Sequence, residues 1–225
     1  MRERDRSRSA DGPGPTRRTF LATAGSVALG ALGSAGCLDL GGSGTETATA
    51  VPETLPAPSR GDGDVTMTVY EDLACPACRT FHEQFVPVID RDYVEPGVVT
   101  YEFRDFPLEM HAPRSFEAAN AARAVQAAAG EAAFFSYVDS LFANQNSLSP
   151  DTYAELAGDV GVDGDQIRAA AVGQIYRNTI DRDLSRGQDA GVRGTPTVFV
   201  DGEQPAELSM NAIAAAIEAA RSQDS

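Results

Sequence analysis

The chain has 225 residues, 42% of them apolar, and a formal net charge of −15. That is long enough for one domain of moderate size with a buried core, and it excludes wholesale disorder. All 18 basic residues are Arg: six lie in residues 1–37 against three acids, whereas residues 38–225 carry twelve Arg against thirty acids. A body this acidic repels polyanions, which excludes nucleic acid and anionic lipid as partners. Abundant carboxylates without Lys also resemble the composition of proteins adapted to high salt, where dense ions screen self-repulsion.

Residues 1–20 are rich in Arg, Gly and Pro, and Leu21–Gly36 follows as sixteen small or apolar residues without charge. That run is shorter than the ~20 apolar residues of a membrane-crossing helix, and a charged stretch before an apolar one is the layout of a signal peptide. At the junction, Thr16-Arg17-Arg18-Thr19-Phe20-Leu21 resembles the twin-arginine export signal. Gly33-Ser34-Ala35-Gly36-Cys37 resembles a lipobox, in which small residues precede a cysteine that is lipidated and becomes the mature N-terminus. One acyl chain anchors only marginally, so the reading requires a two-chain lipid. The alternative for Cys37 is a free exported thiol or half of an intermolecular disulfide. Residues 41–64 are dominated by Gly, Ser, Thr, Pro and Ala and are expected to form a flexible tether. The expected division is therefore a signal over 1–36, an anchor cysteine and tether over 37–64, and a folded domain over 65–225.

Within that domain, Val65–Tyr70 is rich in β-branched residues and predicts a strand. A helix is expected to start around Cys75-Pro76, with Phe81, Phe85 and Val88 on one side and Pro87 ending or bending it. Val98–Phe103 predicts a second strand, so the opening reads as a parallel βαβ unit. Helices are expected over 115–129, stopping at Gly130, then over 132–143, 151–156, 165–172 and 175–190. Thr197–Val200 predicts a strand, Asp201-Gly202 a hairpin turn, Glu203–Leu208 an antiparallel return strand, and Met210–Arg221 a closing helix. The fold class is α/β, βαβ…ββα, with an all-helical insertion at about 112–174.

Cys75-Pro76-Ala77-Cys78 lies where a strand meets a helix, the setting in which two cysteines two residues apart form a redox motif. A helix N-terminus offers partial positive charge and free N–H groups, so Cys75 is expected to be an acidified, attacking thiolate. Cys78, one turn later, is expected to be more buried and to resolve the mixed disulfide. The competing readings are half a zinc site, with His82 and His111 as the remaining ligands, and a purely structural disulfide. Pro196, in Gly194-Thr195-Pro196-Thr197, directly precedes the returning strand and on sequence alone is compatible with an ordinary strand-start proline.

The segment Glu71-Asp72-Leu73-Ala74-Cys75-Pro76-Ala77-Cys78-Arg79-Thr80-Phe81-His82 resembles the active-site segment of DsbA-like thiol-disulfide oxidoreductases of the thioredoxin superfamily. Phe103–Leu108 and Gly191–Thr197 resemble later landmarks of the same family, in the same order. The resemblance implies a thioredoxin-like fold, Cys75 as nucleophile, Cys78 as resolving cysteine, Pro196 as a cis-proline lining a peptide groove, and Thr195 contacting the substrate backbone. It implies no cofactor beyond the Cys75–Cys78 pair and no metal. Partners would be exported proteins with thiols or disulfides, together with a redox partner of unknown identity, for which the membrane is one location. Relatives often carry His where Ala77 stands, and a buried proton-relay acid six residues before the first cysteine, where Val69 stands; Glu71 or Asp72 is the candidate for that role. The two histidines are expected at surface or packing positions. The expected function is an exported, membrane-tethered protein thiol-disulfide oxidoreductase. A reductase or isomerase of the same fold, or a non-catalytic metal-binding module, is the alternative.

Overall fold

The computed structural model describes residues 54–223. The expected export signal with Arg17 and Arg18, and the expected lipidation site Cys37, lie outside the described residues. Four strands, β1 (Ser59–Arg60), β2 (Val65–Glu71), β3 (Val99–Asp105) and β4 (Thr197–Val200), form one sheet in the order β1-β3-β2-β4. β2 and β3 are parallel, from Val65 opposite Val99 to Glu71 opposite Asp105, so both end at the same pole. β4 runs antiparallel to β2 with Thr197 opposite Tyr70, and therefore begins at that pole. Val65, Met67 and Val69 of β2 and Val99, Tyr101 and Phe103 of β3 are buried, the period of two that turns one face of each strand to the core.

β2 and β3 are joined through α1 (Pro76–Gln84), α2 (Val86–Ile89) and a π-helical turn at Asp90–Val94. Pro76 occupies the first turn of α1, where its missing N–H has no partner to lose. The helix is interrupted at Phe85, and α2 restarts with Pro87 in its first turn, the break that Pro87 predicts. α3 (Arg114–Ala143) contains the two helical segments expected on either side of Gly130, which breaks the helix at φ +83°, a conformation open to a residue without Cβ. Its second half sets Phe134 edge-on to Phe103 at 5.3 Å and Phe135 edge-on to Tyr101 at 6.1 Å, which covers one face of the sheet. α4 (Pro150–Asp159) and α5 (Gly164–Gly173) complete the insertion. Ser149 and Asp163 cap them by accepting the N–H groups of Thr152 and Gln166. α6 (Arg177–Asp189) leads back to β4, and α7 (Met210–Gln223) buries Ile213 and Ile217 in the core.

The return strand expected over Glu203–Leu208 does not form. Val200 and Glu203 exchange both backbone hydrogen bonds across the Asp201-Gly202 turn, and strand pairing stops there. Pro205, two residues on, has no N–H to give a ladder. The tether also ends short of residue 64. Leu55 N–H donates to Thr179 Oγ1 (3.0 Å), and the Pro56 carbonyl accepts from Arg123 Nη1 (3.0 Å) and Gln126 Nε2 (3.2 Å). Ser59 and Arg60 pair antiparallel with Glu102 and Tyr101. The Arg60 guanidinium lies over the rings of Tyr101 and Phe135, at 4.7 and 4.5 Å, and meets Asp90 at 3.0 Å. Gly63 passes so close to Val98 that a Cβ there would fall 2.1 Å from the Val98 carbonyl carbon. The glycine that composition assigns to a linker is required by a close backbone approach.

Candidate active site

After β2 ends at Glu71, the chain turns through Asp72-Leu73-Ala74 and enters α1. The Cys75 N–H donates to the Asp72 carbonyl at 2.9 Å, and Cys75 takes the N-cap position with an extended backbone, φ −83° and ψ 123°. No side chain caps α1, so its first N–H groups are available to the Cys75 sulfur. Both cysteines are free thiols; Cys75 is 6% exposed and Cys78 wholly buried. A hydrogen bond from the Cys78 thiol is the leading effect that brings Cys75 down to about 5. The N–H groups of Cys78 and Ala77 and the Thr195 hydroxyl act in the same direction, and burial opposes them. Burial pushes Cys78 far above the ordinary thiol range, and the bond to Cys75 and the nearby Glu71 push it the same way.

Glu71 shares the inward-facing register of Val65, Met67 and Val69 and is 1% exposed, and neither of its carboxyl oxygens has a hydrogen-bond partner. Burial raises it to about 8; Arg60 pulls it down and Cys75 pushes it up. Val69 offers no carboxyl, and Glu71, one inward-facing position further along the same strand, supplies a buried one. Asp72 is as deeply buried but fully partnered. Its Oδ1 accepts the Ala74 N–H (2.8 Å), and its Oδ2 accepts from Leu108 N–H (3.2 Å) and Ser115 Oγ (3.0 Å) and lies 2.6 Å from His111 Nδ1. Its backbone N–H reaches the Cys78 sulfur at 3.4 Å. Asp72 thus fastens the turn before Cys75 to the segment between β3 and α3.

Across from the cysteines, the Thr195–Pro196 peptide bond is cis. Cys75 Sγ lies 3.6 Å from the Thr195 carbonyl oxygen. Thr197 Oγ1 donates to the Gly194 carbonyl at 2.7 Å and holds the loop. Pro196, Pro205 and Leu208 line a shallow groove of about 30 Å³ beside it. Cys75, Pro76, Ala77, Cys78, Thr195 and Pro196 are therefore assembled at one pole of the sheet. The two histidines serve different carboxylates: His111 bonds Asp72, while His82 stacks on Phe142 at 4.5 Å and bonds Asp139 at 2.8 Å. Among the described residues no three His, Cys, Asp or Glu side chains are grouped as a metal site. One contact has no signal in the sequence: Gln145, in the turn after α3, donates from Nε2 to the carbonyls of both Leu73 and Cys75, each at 3.0 Å.

A family profile described as "Thioredoxin" matches residues 60–219, and the chain belongs to that family. The "Disulfide bond formation protein D" of Bacillus subtilis is 25% identical over 156 residues, which is 65% of this chain and 67% of that protein. The "Na(+)/H(+) antiporter NhaA 3" of Salinispora tropica is 31% identical over 160 residues, 71% of this chain but 24% of the antiporter. The chain thus spans about a quarter of the antiporter's length. Two solved structures share the fold. BdbD from Bacillus subtilis in its oxidised form has a TM-score of 0.67 at 22% identity, covering 72% of this chain and 91% of that one. DsbA from Chlamydia trachomatis has a TM-score of 0.68 at 18% identity, covering 76% and 95%.

The burial of Glu71 sets a pH dependence of stability. Its carboxyl ionises near 4.5 in the unfolded chain and at about 8 in the folded one. Between those values the folded state holds a proton that the unfolded state has released, so stability falls as pH rises through the window and levels off above it. By pH 7 the loss reaches about 3 kcal/mol as an upper bound. Glu71→Gln is expected to remove this slope, so that variant and native protein diverge in urea unfolding from pH 5 to pH 8, the variant being the more stable at the alkaline end. Parallel profiles would show that Glu71 is not held protonated.

Proposed function

We propose that the chain is an exported, membrane-tethered protein thiol-disulfide oxidoreductase that exchanges disulfides with protein substrates through Cys75 and Cys78. The observation that carries the reading is the contrast between the two thiols, Cys75 brought to about 5 and Cys78 driven far up. At neutral pH Cys75 is a thiolate, both a ready nucleophile and a good leaving group, while Cys78 stays protonated until it is needed. A first thiol of this acidity lies between the ~3.5 of a strong oxidant and the ~7 of thioredoxin. That placing favours the oxidising direction, because a stabilised thiolate stabilises the reduced form.

In the oxidising direction, a substrate thiolate attacks Cys75 Sγ of the Cys75–Cys78 disulfide. The S–S bond breaks, Cys78 leaves, and a mixed disulfide joins Cys75 to the substrate. The departing Cys78 sulfur takes a proton, and Glu71, a buried acid protonated below about 8 whose charge is felt at Cys78, is the candidate source of it. A second substrate thiolate then attacks the substrate sulfur of the mixed disulfide and releases Cys75 as a thiolate. The substrate dithiol loses two electrons and the Cys75–Cys78 pair gains them. In the reverse direction Cys78 gives up its proton as it attacks Cys75 Sγ and resolves the mixed disulfide, and Glu71 takes that proton where its carboxyl is ionised, a fraction that grows as pH rises toward about 8. Thr195 and Pro196, with the adjoining shallow groove, form the surface on which an extended substrate segment would lie.

Cys78→Ala is expected to accumulate mixed disulfides between Cys75 and substrate proteins, visible as higher-mass bands that collapse on reduction. Cys75→Ala should accumulate few, because Cys78 is wholly buried. Equal trapping by the two variants would contradict the division of roles.

Export and anchoring rest on Arg17-Arg18 and on Cys37. No helix among the described residues is long and apolar enough to cross a membrane. Replacing Arg17 and Arg18 with Gln should leave the protein in the cytoplasm, and Cys37→Ala should release an active protein from the membrane fraction. Normal export of the first variant or membrane retention of the second would refute the corresponding assignment.

A further inference from the structure

We infer that Gln145, supplied by the helical insertion, is a positioning residue for Cys75: it holds the turn into α1 in the arrangement that favours the reduced, thiolate form of the dithiol. Gln145 is 6% exposed and lies in the short turn Gln145–Ser147 that follows α3. Its Nε2 donates to the carbonyls of Leu73 and Cys75, both at 3.0 Å. The orientation of the amide is fixed by chemistry, since carbonyl oxygens only accept and the amide nitrogen alone offers two donors. The Cys75 carbonyl also accepts the Arg79 N–H at 3.1 Å, the first bond of α1, so Gln145 occupies its second lone pair.

The turn is held from two directions. Asp72 Oδ1 takes the Ala74 N–H, and Gln145 takes the carbonyls on either side of it. Together they fix the backbone that aims Cys75 Sγ at the N–H groups of Ala77 and Cys78. The electrostatic effect has the same sign. A carbonyl oxygen carries partial negative charge, and that of Cys75 belongs to the same residue as the reacting sulfur. The positive end of the amide dipole, directed at both oxygens, offsets their field where the thiolate forms. The contact is therefore worth more when Cys75 is charged than when it is protonated or in a disulfide, and only such a differential contact moves an acidity or a redox equilibrium.

This inference rests on the dithiol reading of Cys75 and Cys78, and its test is separable from that reading. In the full chain, Gln145→Leu removes both donors at similar size, and Gln145→Glu turns a carboxyl toward the two carbonyls. The thiolate absorbance of Cys75 against pH is the primary readout, with the equilibrium against glutathione as the second. Gln145→Leu is expected to shift the thiolate-to-thiol ratio at a given pH by about tenfold toward the thiol. The glutathione equilibrium should move toward the disulfide form, and Gln145→Glu should move both readouts further. That order, native above Leu above Glu, supports the inference. Native thiolate titration and native glutathione equilibrium in both variants would overturn it, even if urea unfolding shows lost stability, because a merely structural contact lowers stability alone. If Gln145→Leu does not fold, Gln145→Glu decides on the same two readouts. A native protein that fails to equilibrate with glutathione would refute the redox reading itself, while the thiolate titration would still report on Gln145.

Discussion

A negative sulfur inside a protein requires donors on every side that water has left, and the hydrogen bond from the Cys78 thiol to Cys75 is the first of them. The bond is available only while Cys78 keeps its proton, and burial in the core beneath α1 makes it keep it. The two shifts are therefore one arrangement seen from its two ends: the same contact that acidifies Cys75 makes Cys78 a weaker acid. The N-terminus of α1, left without a side-chain cap, adds backbone donors. The parallel β2 and β3 deliver this turn to the same pole at which antiparallel β4 presents Thr195 and the cis-proline.

A second titratable group is built into the same core. A carboxyl with no hydrogen-bond partner at full burial is costly when ionised, so Glu71 stays protonated through the range where an ordinary glutamate has lost its proton. Arg60 is the principal counterweight, and it is held in place by Tyr101, Phe135 and Asp90. Arg60 lies on β1, so the segment that leads from the N-terminal region into the domain contributes to the electrostatics of the site as well as to the sheet. The insertion contributes too, through Gln145. Neither addition to the central unit is passive cover.

The features legible in the sequence were those with a local signature. A high content of β-branched residues marks β2 and β3, the Cys75–Cys78 spacing with Pro76 marks the start of α1, and Gly130 marks the break in α3. What stayed hidden depends on partners distant in sequence. β1 has two residues and no periodicity, and it exists because its backbone meets that of Glu102 and Tyr101. The expected strand after Asp201-Gly202 followed from a strong turn signal, but Pro205 withholds an N–H and the pairing ends at Glu203. Glu71 was visible only as one of two adjacent acids. The inward register of β2 separates it from Asp72, whose carboxylate is consumed in holding Ala74, Leu108 and Ser115. Gln145 sits in a polar run, Asn144-Gln145-Asn146-Ser147, and its importance comes from carbonyls about seventy residues earlier.

The asymmetry of the two thiols is the claim on which the rest stands, and the pH dependence of alkylation of the reduced native protein tests it most directly. With peptide mapping to assign the modified cysteine, Cys75 should react with a half-maximal rate at pH about 5, while Cys78 stays unmodified until the protein is unfolded. Two thiols that react alike, or a Cys75 whose rate rises only in the ordinary thiol range, would contradict the account.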